Sequence, residues 1–257
     1  MTSLLTPLTP DRAEEVARGE LEALVDVLRT LDPAEWDLPT DCTRWTVRDI
    51  VAHVTGAMDE GAHVRVLLRH LALAQRRRPD LDTLDAINEM QIDDRREATP
   101  EQLVAELAAL GLRAARARRR MPRLLRSRPV PGGNGLPAGS TFGYLVDVIY
   151  PRDAWMHRID VSRATGRALS PTATETDVVA EVVRDLATVW DGPTTTLSLT
   201  GHGAGTWTLG SGRPRSTLEA DAVEVCRMMA GRPASPVVTL TGDPEAERRL
   251  LAARVVF

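Results

Sequence analysis

Lysine is absent from this chain, and all 32 of its basic residues are arginine. Coding bias accounts for that better than any physical requirement. An excess of positive charge is also missing. The formal balance is -4 over 257 residues, so the chain lacks the overall field that phosphate-driven nucleic-acid binding needs. Cysteine is scarce: Cys42 and Cys226 stand far apart and form no CxxC pair, which argues against a disulfide framework or a cysteine-rich metal site and fits a reducing cytoplasm. Long apolar runs are lacking too. No window approaches the roughly 18 uninterrupted apolar residues of a membrane span, and the start, "MTSLLTPLTPDRAEE", has neither the basic head nor the apolar stretch of an export signal. The expectation is a cytoplasmic protein with no nucleic-acid and no membrane partner.

What is present is ordinary for a folded chain: 43% hydrophobic and 26% charged residues, over a length that favours two domains. "TPDRAEEVARGELEALVDVLRTLD" opens at Thr9 with a Thr-Pro start and early acidic residues, then repeats Val16, Leu21, Leu24, Val25 and Leu28 at helical spacing. A second helix is predicted from Thr46 to about Ala74. Residues 75–99 read as a long connection with a helical turn around "LDAINEMQIDDR", and the start signal recurs at Thr99-Pro100 for a third helix. "PVPGGNGLPAGS" is a loop. A fourth helix is predicted from Thr141 to Thr165, kinked at Pro151 and stopped by Gly166. Four helices with one long crossover make a bundle. Beyond about residue 170 the pattern changes: a helix from Thr174 to Trp190 leads into strands at "TTTLSLTG", "GTWTLG", "RSTLEAD" and "SPVVTLTG", with helices at "DAVEVCRMMAG" and "DPEAERRLLAAR". The reading is an all-α domain over residues 1–170 followed by a smaller α+β domain over 171–257.

The segment "RDAWMHRID" places Asp153 four positions before His157, so on a helix both side chains leave one face about 6 Å apart. Solvent-facing stripes share that spacing, and a lone helical histidine such as His53 is more often a satisfied core or surface residue than a ligand. A catalytic zinc site needs three side chains converging from more than one element, with a position left open. A helix carrying Asp153 and His157 beside a neighbour carrying His53 meets that requirement.

Taken together, "CTRWTVRDIVAHV" and "RDAWMHRIDVSRATGR" resemble the mycothiol-dependent maleylpyruvate isomerase family, and the resemblance extends over most of the chain. It implies a DinB-like metal-binding four-helix bundle followed by a sterol-carrier-like α+β domain. It also implies a divalent metal, usually zinc, on His53, Asp153 and His157, with mycothiol as thiol cofactor or co-substrate. The founding enzyme type carries glutamate where this chain has Asp153. The shorter carboxylate requires the metal closer to that backbone or a shifted helix. The resemblance also implies an arginine of the second domain that assists catalysis, for which Arg232 in "MMAGRPASP" is the candidate. The implied chemistry is addition of a metal-activated thiolate to a small electrophilic substrate, as an isomerase or as a mycothiol S-transferase. A non-catalytic metal- or ligand-binding protein, monomeric or homodimeric, is the alternative from another class.

Other polar residues carry weaker expectations. Asp49 is a candidate to orient the far nitrogen of His53, against a surface ion pair. Glu60 either lines the cavity as a base or water-holder or is exposed or ordinarily packed. Arg152 and Arg158 either receive the carboxylate of an anionic substrate through a two-point contact or, as the preferred reading, face solvent; His63 and His70 read as surface residues, and His202 as a turn residue between glycines. Cys42 reads as a small buried group, and the run "RAARARRRMPRLLRSR" as a solvated helix face. Neither "GGNG" nor "GSG" has the setting of a phosphate loop.

Overall fold

A computed structural model describes residues 6–130, 136–137 and 139–257. The "GGNG" motif lies outside the described residues. The chain divides into two compact units, Pro10–Ser170 and Pro171–Phe257, and the described residues before Pro10 group with the second of these. The first unit is helical. Helix α1 (Pro10–Leu28) begins with proline at its first position, where no intrahelical donor is needed, and buries Val16, Leu21, Leu24 and Leu28 along one stripe. Helix α2 (Val47–Ala62) starts from a reciprocal cap: the Thr46 hydroxyl accepts from the Asp49 amide, and the Asp49 carboxylate accepts from the Thr46 amide. It is buried on nearly every side, which marks it as the central helix of the unit.

The predicted second helix is two helices. At His63 the backbone is extended (φ -135°, ψ 98°), and α3 (Val64–Arg77) leaves in a new direction. His63 Nδ1 lies 2.7 Å from the Asp59 carboxylate at this break, and the fold of α3 buries His70, which pairs with Glu60 back on α2. The long connection holds a full helix, α4 (Thr83–Asp93), begun by an Asp82 cap. Its apolar residues Ala86, Ile87 and Met90 close a small core with Ala74 of α3. Helix α5 (Pro100–Arg119) repeats the capping box with Thr99 and Gln102. After the short α6 (Arg123–Arg126) and α7 (Phe142–Tyr144), a wide π turn spans Leu145–Ile149 and runs into α8 (Tyr150–Thr165). The Tyr150 amide bonds Leu145 O, five residues back, and Pro151 has no amide hydrogen to restore the tighter ladder. The irregularity expected at Pro151 therefore lies in the turn before it. Gly166 closes α8 with φ +66°, a conformation that favours glycine.

The main core of this unit joins α1, α2, α5 and α8, with Trp36 filling one end. A buried ion pair crosses it, with Arg158 Nη2 on α8 2.9 Å from Glu20 Oε2 on α1 and neither side chain exposed. In the second unit, α9 (Glu175–Val189) and α10 (Ala222–Met229) accompany a sheet of order β2-β1-β3-β4, made of β1 (Thr195–Thr200), β2 (Gly205–Leu209), β3 (Ser216–Asp221) and β4 (Thr239–Thr241), and α11 (Pro244–Ala252) follows. Strand β1 pairs antiparallel with β2 and parallel with β3, and β3 pairs antiparallel with β4. Alternation puts Leu197, Leu199, Trp207, Leu209 and Leu218 inside. Among the described residues, no helix is long and apolar enough to cross a membrane.

Candidate metal centre

Three side chains meet between α2 and α8. Asp153 and His157 lie one turn apart on α8, with His157 Nε2 3.2 Å from Asp153 Oδ1. His53, projecting from α2, places its own Nε2 3.4 Å from Asp153 Oδ2. The donor atoms of the three residues all lie within 4.8 Å of one another. Both imidazoles are buried, whereas the Asp153 side chain keeps 19% exposure and gives the cluster its contact with solvent. The Trp45 ring covers the histidines, its centroid 4.9 Å from that of His53 and 6.0 Å from that of His157.

The other nitrogen of each imidazole is held by a separate partner. His157 Nδ1 lies 3.1 Å from Asp160 Oδ2, one turn further along α8, and the Cys42 thiol donates to the same oxygen at 3.5 Å. His53 Nδ1 faces the Gln91 side-chain oxygen of α4 at 2.7 Å. The Gln91 amide in turn donates to Glu60 Oε1 at 2.8 Å, and that oxygen also lies 2.5 Å from His70 Nδ1. His70 Nε2 faces Asp94 at 3.1 Å, and Arg69 grips Asp94 through two bonds. Glycine makes the approach of α4 possible: a Cβ on Gly56 would stand 2.4 Å from the Gln91 Cβ.

Electrostatics follow from this crowding. Burial pushes the Asp153 carboxyl up, but the neighbouring His157 and His53 outweigh it and hold the group far below the usual carboxylate range. Burial also disfavours charge on His157, and the Asp153 charge, with the hydrogen bonds that its ring N–H groups donate to Asp153 and Asp160, raises its proton affinity well above the ordinary imidazole value. Each Nε2 lone pair aimed at a carboxylate is repelled by it unless a proton or another cation stands between them. The arrangement therefore favours a positive charge at its centre.

Several expectations are corrected here. Asp49 caps α2 and does not hold His53, a role taken by Gln91. His70 is fully buried between two carboxylates. Burial works against its charge, but its bonds to Glu60 and Asp94 still raise its proton affinity. Glu60 is buried with it. Arg152 and Arg158 are buried as well, because α8 is buried on nearly every side between Pro151 and Ser162. Cys42 is half-buried and hydrogen-bonded, not merely packed. The basic run is not wholly solvated: Arg118 is buried over the Tyr150 ring, 4.1 Å from its centroid, in room that a Cβ on Gly61 would close. Burial lowers its pKa to about 10, only partly offset by Tyr150, Asp147, Asp153 and Glu60. His63 pairs with Asp59 on the half-exposed rim, and His202 faces Glu175 at 3.1 Å. Arg232 belongs to the other unit, in the turn after α10, where its amide bonds Arg227 O.

Two partners were not anticipated from sequence. Asp160 follows His157 by three positions, a helical spacing that offers a carboxylate to its far nitrogen. Gln91 gave no such signal, since it sits in another helix with weak apolar patterning.

No curated protein sequence matches the chain. The crystal structure of the mycothiol-dependent maleylpyruvate isomerase superposes with a TM-score of 0.55 at 19% identity, covering 93% of this chain and 96% of that one. A mutant of that enzyme, with one histidine replaced by alanine, gives 0.54 at 18% identity over the same shares. At such identities the likeness establishes the fold. The family model described as the mycothiol maleylpyruvate isomerase N-terminal domain matches residues 17–162, more than half of the sequence, and the chain belongs to that family.

Proposed function

We propose that this chain is a metal-dependent enzyme that uses mycothiol on a small electrophilic substrate, in a reaction of the maleylpyruvate isomerase type. His53, Asp153 and His157 are its zinc ligands in this reading. The observation that carries it is the convergence of two imidazole Nε2 atoms on one carboxylate while separate groups hold both Nδ1 atoms. The donor set fits the ion. Separations of 3.2 and 3.4 Å match the roughly 3.3 Å between two donors on a tetrahedral zinc with bonds of about 2.0–2.1 Å. Three protein donors leave a fourth position, the pattern of catalytic zinc.

A divalent ion there supplies a Lewis acid that keeps a small thiol ionised, as the nucleophile that an isomerase adds to an activated cis double bond and then eliminates. The protein's own groups do the rest. Asp153 contributes negative charge and keeps the cluster open to solvent, and Asp160 and Gln91 hold the Nδ1 protons so that both Nε2 atoms face inward. Trp45 screens the rings from bulk water. In the same reading residues 1–170 form a DinB-like four-helix bundle, residues 171–257 a sterol-carrier-like domain, and Arg232 assists catalysis from the latter.

The test begins with metal analysis of protein equilibrated with zinc, followed by mycothiol and a cis-enoyl acid such as maleylpyruvate. Expected are a single bound ion, lost on His53→Ala, Asp153→Ala or His157→Ala, and cis-to-trans conversion without net loss of thiol. Accumulation of a stable conjugate assigns a transferase instead, and a folded wild-type protein that takes up no divalent ion refutes the metal reading.

A further inference from the structure

A glutamine side chain can present either end to a neighbour, and which end Gln91 presents decides whether Nδ1 of His53 carries a proton. The amide oxygen must accept from an Nδ1–H, whereas the amide nitrogen would need a bare Nδ1 and would leave the proton on Nε2, facing Asp153. Nothing on α2 settles the choice, because Asp49 is committed to the cap of its own helix. The choice is made one residue further out. Glu60 Oε1 lies 2.8 Å from the Gln91 amide nitrogen, and a carboxylate only accepts. With its nitrogen claimed by Glu60, Gln91 has only its oxygen left for His53.

We infer that Glu60 is a positioning residue that acts through the Gln91 amide to hold His53 as its Nδ1–H tautomer, leaving Nε2 as the nitrogen offered to Asp153 and His157. The groups behind Glu60 are arranged to keep it an acceptor. His70 stands between Glu60 and Asp94, one ring nitrogen on each, and Arg69 secures Asp94 from the outside. Gly56 supplies the clearance that lets Gln91 reach this position. The two candidate ligands thus reach one tautomer by different means. His157 has a carboxylate directly on Nδ1, whereas His53 has a neutral amide whose direction is imposed by a carboxylate beyond it. The second arrangement orients the ring without placing another full negative charge against it.

The consequence for metal affinity rests on the proposed function, but the tautomer belongs to the metal-free protein and is measured there. Long-range ¹H–¹⁵N spectra of metal-free protein, with the His53 signals assigned by His53→Gln, should show a proton on Nδ1 in the wild type. Glu60→Gln keeps shape and packing but can donate to the Gln91 oxygen, so the amide turns and the Nε2–H form of His53 appears. Zinc affinity, measured by competition with a chelator, falls by about 10–100-fold, the usual effect of losing an outer partner of a ligating histidine. Adding Gln91→Glu to Glu60→Gln restores an acceptor at His53 with the charge moved inward. This isosteric swap recovers the Nδ1–H tautomer, which repacking alone would not do. Gln91→Leu, checked for folding by circular dichroism, removes the lock by a second route. A Glu60→Gln protein with the wild-type His53 tautomer overturns the inference, as does a swap that leaves the wrong tautomer in place. A wild type that binds no zinc but shows the Nδ1–H form refutes the metal reading and leaves this one standing.

Discussion

At the scale of single residues, a proton and a metal ion compete for one place. In the metal-free chain, His157 offers Nε2 to Asp153 and Nδ1 to Asp160, and its proton affinity is well above that of a free imidazole. The stability this gives is fully present below the unfolded value of about 6.5 and is lost as pH rises through the higher folded value. Asp153 is lowered, so its contribution is present above about 3.9 and is lost as pH falls through its folded value. Between these limits the pair is charged, and zinc has to displace the imidazolium proton. Zinc affinity should therefore fall as pH is lowered, and binding near pH 7 should release about one proton. Calorimetry in buffers of different ionisation enthalpy measures that release, and a value near zero would count against the cluster as the binding site. The residues of this cluster were legible in sequence because two share a helical turn and the third sits in a recognisable segment. Gln91 was not, because its role depends on a helix packed beside α2 and on the missing side chain of Gly56.

At the scale of elements, close packing brings the outer partners into reach. Gly56→Ala would set a Cβ 2.4 Å from the Gln91 Cβ, and α4 backbone follows at 3.1 Å, so α4 has to move. A loss of about 1–3 kcal/mol in urea unfolding is expected, together with weaker zinc binding as Gln91 leaves His53. Wild-type affinity in this variant would mean that the position of α4 does not matter to the site. The ion pair between α1 and α8 makes a different prediction. Glu20→Leu alone removes the carboxylate that faces the buried Arg158, whose Nη1 still donates to Ser170 O, and should destabilise by about 3–5 kcal/mol, whereas Glu20→Leu with Arg158→Met should recover much of the loss. The elements that were read correctly have local causes: Thr-Pro starts, capping boxes and a glycine stop. The break at His63 was missed because the apolar pattern runs on from α2 into α3, while the contacts that accompany it, His63 with Asp59 and the buried pairing of His70 with Glu60, belong to the tertiary structure.

At the scale of the whole molecule, every proposed metal ligand and every outer partner described above lies within Pro10–Ser170, and Arg232 lies outside it. A chain of residues 10–170 that folds by circular dichroism should bind zinc with the stoichiometry of the full protein. In the full chain, Arg232→Met should leave zinc affinity unchanged and lower turnover with mycothiol and substrate, and a parallel loss of both would assign Arg232 a structural role. The change from helical to alternating pattern near residue 170 is written in the sequence itself, because periodicity reports which face each element buries. So are the helix starts and the three candidate ligands. Burial of polar side chains is not. Arg118, Arg152, Arg158 and His70 look like surface residues in a string of letters, since charge usually lies outside. Whether such a group finds a partner inside depends on helices distant in sequence meeting at a particular depth, and only the tertiary structure determines that.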